Sequence, residues 1–487
     1  MKQIITVITL LLIGAKAWTQ IQIRVFTDPS LNRTYTGKLY IFTQSDTTKR
    51  IPNNPDPSQA MFAWMVKDVK DEITVTTDQA SNRYLPNGMS TLKPGYYKIA
   101  GILDTDFEER GTFNAGNIYA RKEAILYVDE QGKGTATIAF TSFIASRIIR
   151  ETEQVKEVVL KSKLLSDFRK KDIFMKAAVR LPASYKNDST RLYPIVFVIP
   201  GWGGTHYDMQ GSMPVRRYGM DLGKDKIYVY LNPETQSPFG LHAFVDSRVN
   251  GPWGKALVEE LIPHIESKYR VVKDASQRFV MGQSTGGYGS LWLQLNYPDA
   301  FGGCWSVSPD PVDFTSFIGI NLYEKDVNLY TNKEGKERGI FFMQGTPTMT
   351  TRVMAAVENF TGDGEQLQAF EAEFGVPDKN GRPKQVYDHT TGKVDPAVVK
   401  SWEPYDLGKF IQRNASKLSG KINGKVHVYA GTADNFLLNE AVTAFTQKAV
   451  TAKVPVVTEL IPGADHWNIW SEAFTKRVVA EIDAKIK

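Results

Sequence analysis

The sequence predicts an α/β fold preceded by an all-β domain. Three observations carry this. From about residue 172, apolar runs of strand length alternate with helical periodicity, the sign of a mostly parallel sheet covered on both faces. Before about residue 145, short strands follow one another, separated by Pro, Gly, Asn and Asp. In the second region, one strand runs directly into the turn Gly282-Gln283-Ser284-Thr285-Gly286-Gly287 and then into a helical stretch.

The 487 residues exceed what one core organises, and two or three units are expected. Hydrophobic residues make up 42% and charged residues 23%, as in an ordinary globular chain. Lys2, the apolar run from Ile4 to Ile13 and the small residues of Ala15-Lys16-Ala17 predict a signal peptide over residues 1–19, hence an exported protein, periplasmic or extracellular. That run is short for a bilayer span, so no stable membrane anchor is expected. The formal net charge is +6, or about +4 once Lys2 and Lys16 are removed. So weak a balance, with no Lys/Arg-rich run, argues against nucleic acid as a partner. Oligomeric state is not legible. Cys304 is the only cysteine and lies in the apolar run 302–307, so it is expected to be a small core residue rather than a reactive thiol.

Residues 20–145 are expected to form an immunoglobulin-like β-sandwich. Its strands are placed at 21–25, 38–42, 73–76, 96–100, 124–128 and 135–140. Residues 146–170 are charged and helix-compatible and are expected to be a linker packing partly on the second domain. That second domain is placed at 171–487. Within it 173–181 reads as amphipathic strand, while 194–199 and 226–231 are continuous apolar runs suited to central strands. Residues 252–269 carry apolar positions Ala256, Leu257, Leu261, Ile262 and Ile265 at helical spacing, with Pro252 in the tolerant first turn. Further strands are expected at 278–281, 304–307, 340–343, 425–430 and 454–460, and a last helix at about 470–486. Residues 311–415 are less regular and predict an insertion that shapes or covers a site.

The turn 282–287 has the context of a nucleophile elbow. Flanking glycines suit a turn too tight for Cβ atoms, and Ser284 at its tip would stand exposed near the positive end of the next helix. A serine hydroxyl needs a base. Of the six histidines, His206 and His242 lie in loops, His264 on the preceding helix, His389 in the insertion and His427 within a strand. Only His466, between the last strand and last helix, fits the chain order Ser, acid, His of an α/β-hydrolase. The acid that orients the imidazole is expected to be Asp434, after the strand 425–430, with Asp310 after strand 304–307 as its main rival. Donors for an oxyanion are expected from the backbone N–H of Thr285 and from the loop Pro200-Gly201-Trp202-Gly203-Gly204, Trp202 first and Gly203 second. Trp202, Trp253 and Trp467 are expected to line the substrate pocket, where aromatic faces suit sugars or phenolic acyl groups.

The strand with Pro200-Gly201-Trp202-Gly203-Gly204, then Asn250-Gly251-Pro252-Trp253, Glu260-Leu261-Ile262-Pro263, Gly282-Gln283-Ser284-Thr285-Gly286-Gly287, Asp434 and Asp465-His466 together resemble the putative esterase family. That family takes in esterase D, feruloyl and acetylxylan esterases, and enterochelin and antigen 85 types. The resemblance covers about residues 160–487. It implies an α/β-hydrolase fold, carboxylic ester hydrolysis or occasional acyl transfer, and no metal or organic cofactor. Two departures stand out: Pro200 where many relatives have His, and Thr285 where Met is common. The expected substrate is a small-molecule or polysaccharide ester, with acetyl or feruloyl groups on carbohydrate among the candidates. A peptidase or acyltransferase on the same fold and a catalytically inert glycan-binding protein are the alternatives.

Overall fold

The computed structural model of the chain describes residues 21–487 apart from 32, 52–55, 85–90 and 363. The leader expected over 1–19 lies outside the described residues. The chain divides into two units. One takes in the described residues up to Thr105 and Asn117–Ile144; the other takes in Asp106–Gly116 and Ala145–Lys487.

The first unit is all-β, a 10-stranded sheet with mostly antiparallel pairing. All six expected strands form. Ile21–Thr27 runs antiparallel to Glu72–Thr76 on one side and parallel to Gly134–Phe140 on the other. Its side chains alternate strictly between buried and open positions, so Ile21, Ile23 and Val25 enter the core. Met61–Val69 is a further strand, paired with Tyr35–Gln44 and placing Phe62 and Trp64 in that core.

The second unit is built on an 8-stranded sheet. Its strands are β1 (Val155–Ser162), β2 (Ile173–Arg180), β3 (Ile195–Ile199), β4 (Ile227–Leu231), β5 (Arg278–Ser284), β6 (Gly303–Pro309), β7 (Val426–Gly431) and β8 (Val457–Ile461). Their order is β1-β2-β4-β3-β5-β6-β7-β8. Pairing is antiparallel from β1 to β2 and from β2 to β4, and parallel from there on. Every residue of β3, β4, β6 and β7 is buried, and β3 and β4 accordingly read as unbroken apolar runs. Separate cores lie on the two sheet faces, one around Ile195, Phe197, Leu261 and Leu291, the other around Val196, Met281, Trp305 and Val478. Helix α1 (Thr285–Asn296) follows β5, and α2 (Thr351–Thr361) and α3 (Gln366–Phe374) belong to the insertion. Helix α4 (Leu438–Thr451) follows β7 and α5 (Glu472–Asp483) closes the chain.

Three expectations are corrected. Residues 146–170 are not a linker: they hold β1 and the helix Lys163–Arg169 and belong to the second unit. Val155 and Val158 are buried while Lys156, Glu157 and Lys161 are not, as befits the edge strand of a sheet. The expected strand at 340–343 forms, as Gly339–Met343, but it pairs only with Thr346–Thr350 in a hairpin apart from the sheet. The helix expected over 252–269 is interrupted. Trp253–Ala256 and Ile262–Lys268 are α-helical, and Leu257–Leu261 between them is a π turn. Pro263 has no N–H to give residue 259 and its ring crowds that carbonyl, so the helix widens there.

Candidate active site

Ser284 ends β5 and sits at φ 58°, ψ −124°, before α1. A non-glycine residue with positive φ costs about 1–3 kcal/mol and persists where its surroundings over-determine it. Here they do. A Cβ on Gly286 would lie 1.9 Å from the Ile199 carbonyl oxygen, and one on Gly282 would lie 2.4 Å from the Gly286 carbonyl. Only glycine at both positions lets β5 and α1 close around the strained serine next to the end of β3.

His466 follows β8 and is 3% exposed. Its Nδ1 lies 3.0 Å from Oδ2 of Asp434, which follows β7 and is also 3% exposed. The other oxygen of Asp434 accepts the backbone N–H groups of Phe436 at 2.9 Å and Leu438 at 3.4 Å. A carboxylate so supplied with donors leaves one oxygen for the ring. Nδ1–H then donates to it, and Nε2 keeps its lone pair.

The histidine loop is tied to the elbow. Gln283, the residue before the serine, donates its side-chain N–H to the His466 carbonyl, and its Oε1 accepts from Trp470 Nε1 at 3.0 Å. The His466 N–H donates to Asn435 Oδ1 at 3.1 Å. Sequence reading missed both Gln283 and Asn435. The available signal was their adjacency to Ser284 and Asp434.

Ser284 and His466 line one cavity of about 480 Å³. Trp202, Gly203 and Gly204 from the loop after β3 also line it, with Gly203 at φ 76°. Thr285 is the first residue of α1, where backbone N–H groups have no partner within the helix. Trp467 reaches the cavity and is 56% exposed, so it stands at the rim. The insertion supplies Ile318, Ile340, Met354, Gln366 and Phe370 to the wall, and Phe436 and Leu438 add to its apolar side. The Trp202 ring carries the Arg110 guanidinium 4.5 Å from its centroid, and Arg110 pairs with Glu365 at 3.5 Å.

Trp253 does not belong to the pocket as expected. It is 2% exposed, stacks on His242 at 3.6 Å between centroids, and donates its Nε1–H to the Asn250 carbonyl at 3.1 Å. At the start of a helix packed on the sheet, its ring faces the core. Three further histidines have partners away from the cavity lining. His206 lies 3.1 Å from Glu157, His389 pairs with Glu371, and His427 stacks on Trp305. Cys304 is buried in β6, and burial pushes its thiol up to about 12.

Asp310, after β6, does not touch the imidazole. Its Oδ1 accepts the Ser284 hydroxyl at 3.0 Å and its Oδ2 accepts the Thr285 hydroxyl at 2.7 Å. The two carboxylates that compete in the sequence thus serve different groups. Asp434 holds the histidine, and Asp310 holds the serine and its neighbour.

Among solved structures, the chain is similar to a ferulic acid esterase at 16% identity and a TM-score of 0.41, over 68% of this chain and 98% of that one. It is similar to an S-formylglutathione hydrolase from Agrobacterium tumefaciens at 15% identity and a TM-score of 0.42, over 70% and 99%. A ferulic acid esterase from the anaerobic fungus Anaeromyces mucronatus gives 16% and 0.35, over 69% and 95%. Residues 172–480, nearly the whole second unit, match the family described as putative esterase, and the chain belongs to that family.

Proposed function

We propose that the protein is a serine hydrolase that cleaves carboxylic esters through an acyl-enzyme, with Ser284 as nucleophile, His466 as base and acid, and Asp434 as the group that orients the imidazole. The observation that carries this is the Asp434–His466 contact, 3.0 Å and buried, opening on the same cavity as a strained, elbow-borne serine. With Nδ1–H committed to Asp434, Nε2 is the nitrogen free to take the Ser284 proton. The serine oxygen attacks the ester carbonyl. The N–H groups of Thr285 and of Trp202, with Gly203 beside it, receive the developing oxyanion, and each such donor is worth about 100- to 1000-fold in rate. His466 then passes its proton to the leaving alcohol, and water, activated the same way, frees the acid.

The apolar wall of Ile318, Ile340, Met354, Phe370, Phe436 and Leu438 supports an acyl chain or phenolic acid as the buried half of the substrate. The rim tryptophan Trp467 supports a sugar or other alcohol half nearer solvent. Acetyl or feruloyl esters of carbohydrate are therefore the favoured substrates. We read the leader sequence as directing export, and the all-β unit as an accessory sandwich domain. Among the described residues, no helix is long and apolar enough to cross a membrane.

The test is turnover of short-chain nitrophenyl and feruloyl esters together with labelling by a fluorophosphonate probe. Ser284→Ala is expected to abolish labelling and to lower kcat by at least about 10⁴-fold. Turnover near wild type in that variant would remove the serine from the mechanism. A peptide panel run beside the esters separates esterase from peptidase.

A further inference from the structure

A serine carries one hydroxyl proton, and that of Ser284 is directed at Asp310 Oδ1, 3.0 Å away. The attachment is doubled by the Asp310 backbone N–H, which donates to the Ser284 carbonyl at 3.1 Å. Oδ2 is supplied separately, by the Thr285 hydroxyl at 2.7 Å and by Gln366 Nε2 at 3.4 Å. Asp310 is 5% exposed and lines the cavity. Orientation of His466 needs none of this, because Asp434 provides it.

Attack on an ester requires Ser284 to redirect its proton to His466. Oδ1 of Asp310 then loses its donor at the moment when substrate fills the cavity. A buried carboxylate oxygen stripped of its hydrogen bond is costly. The lost bond can be replaced by a proton on Asp310 or by a donor that the substrate brings. We propose that Asp310 is a specificity-determining residue that accepts a hydrogen bond from a hydroxyl carried by the ester within one or two bonds of the scissile group. This rests on the serine-hydrolase reading above. The hydroxyl has two possible sources: the α-carbon of the acyl group, or the vicinal carbon of a polyol or sugar alcohol.

The surroundings of Asp310 set the pH at which it can act as acceptor. His466, after β8, favours its ionised form; Asp434, after β7, opposes it. Glu373, on α3, is a second buried acid that feels the Asp310 charge. Ser284 and Thr285 from the elbow supply hydrogen bonds to the carboxylate, and burial outweighs them, raising Asp310 above the usual carboxylate range. On acidification the carboxyl acquires its own hydrogen and no longer demands one from the substrate. The preference for hydroxyl-bearing esters is therefore greatest at neutral and higher pH and fades toward acid.

The experiment compares kcat/KM within two ester pairs, each corrected for its hydroxide-catalysed rate. Nitrophenyl glycolate is set against nitrophenyl acetate for the acyl side, and 2-hydroxyethyl acetate against 2-methoxyethyl acetate for the alcohol side. Wild type is expected to favour the hydroxyl member of one pair by about tenfold or more at pH 8, and the responding pair names the source. Asp310→Ala should bring that ratio close to one, and Asp310→Asn, which keeps an acceptor, should restore part of it. Fluorophosphonate labelling reports whether each variant retains an activated serine. Ratios near one for both pairs in wild type overturn the proposal, as does a preference that survives in labelled Asp310→Ala. Should Asp310→Ala fail to fold, the ratio in labelled Asp310→Asn decides: a ratio clearly below that of wild type supports the proposal and an unchanged ratio overturns it. Failure of the hydrolase reading itself looks different, with no labelling and no turnover of any ester by wild type.

Discussion

At the scale of single residues, the candidate site is a set of short links between positions far apart in sequence. The Gln283 amide reaches the His466 carbonyl across 183 positions, and Asn435 reaches the His466 N–H across 31. Gln283 is buried, and the two ends of its amide bind the histidine loop and Trp470. It ties the histidine loop to the elbow that carries Ser284, so Gln283→Leu is expected to lower kcat by about 10²-fold, the size of a small misplacement of reacting groups, with little change in KM. Asp434→Asn removes the charge that settles the tautomer and is expected to cost about 10⁴-fold in kcat. Steady-state kinetics on one nitrophenyl ester checks both, and equal losses in the two variants would contradict the division of roles. The positions of Ser284, His466 and Asp434 after successive strands, and the pairing of the last two, were legible in the sequence because each lies beside its own local signal. Gln283 and Asn435 were not, because a buried amide declares nothing until its partners are brought to it. Trp253 was misread for the related reason that an aromatic side chain suits a core and a pocket equally, and only the arrival of His242 decides between them.

At the scale of elements, legibility follows burial. Strands β3 and β4 are covered on both faces and read directly from their apolar runs. β1 borders the sheet and carries lysines and a glutamate among its valines, which made it look like a charged linker. Gly339–Met343 has the composition of a strand and forms one, but strand composition does not name a partner. The insertion contains another feature invisible in sequence. Glu358 of α2 turns inward and accepts the N–H groups of Leu367 at 2.8 Å and Gln368 at 3.1 Å, in the first turn of α3. These bonds favour the carboxylate, yet burial outweighs them and pushes Glu358 from 4.5 up to about 8. The folded protein therefore holds a proton that the unfolded chain releases between about pH 4.5 and 8, and stability falls as pH rises through that window. Glu371 and Glu373, both raised by burial, act in the same direction. Glu358→Gln should reduce this slope: the gap between urea midpoints at pH 5 and pH 8 narrows relative to wild type. An unchanged gap would show that Glu358 does not bind the extra proton.

At the scale of the whole molecule, the division of the chain does not follow sequence order. The all-β unit has a core of its own, with Ile23, Ile41, Phe62, Ile99 and Phe140 fully or almost fully buried. The esterase unit has cores on both faces of its sheet. Between strands Gly95–Asp104 and Ile118–Tyr119 of the first unit, however, the chain contributes Asp106–Gly116 to the second. There Arg110 lies over the Trp202 ring and pairs with Glu365 just ahead of α3, so the segment braces the loop expected to bind the oxyanion. A sequence reading that draws one boundary near 145 has no means of finding this, because nothing local distinguishes 106–116 from any polar loop. Cooperative units exchange their amide hydrogens together, and each opens with its own free energy. Hydrogen exchange by mass spectrometry is therefore expected to place peptides from 106–116 with residues 145–487, not with the strands that flank them in sequence. Arg110→Ala should release that segment to faster exchange while the flanking strands keep their protection. Exchange of 106–116 in step with the flanking strands, in wild type, would show that Arg110 does not hold the segment to the esterase unit.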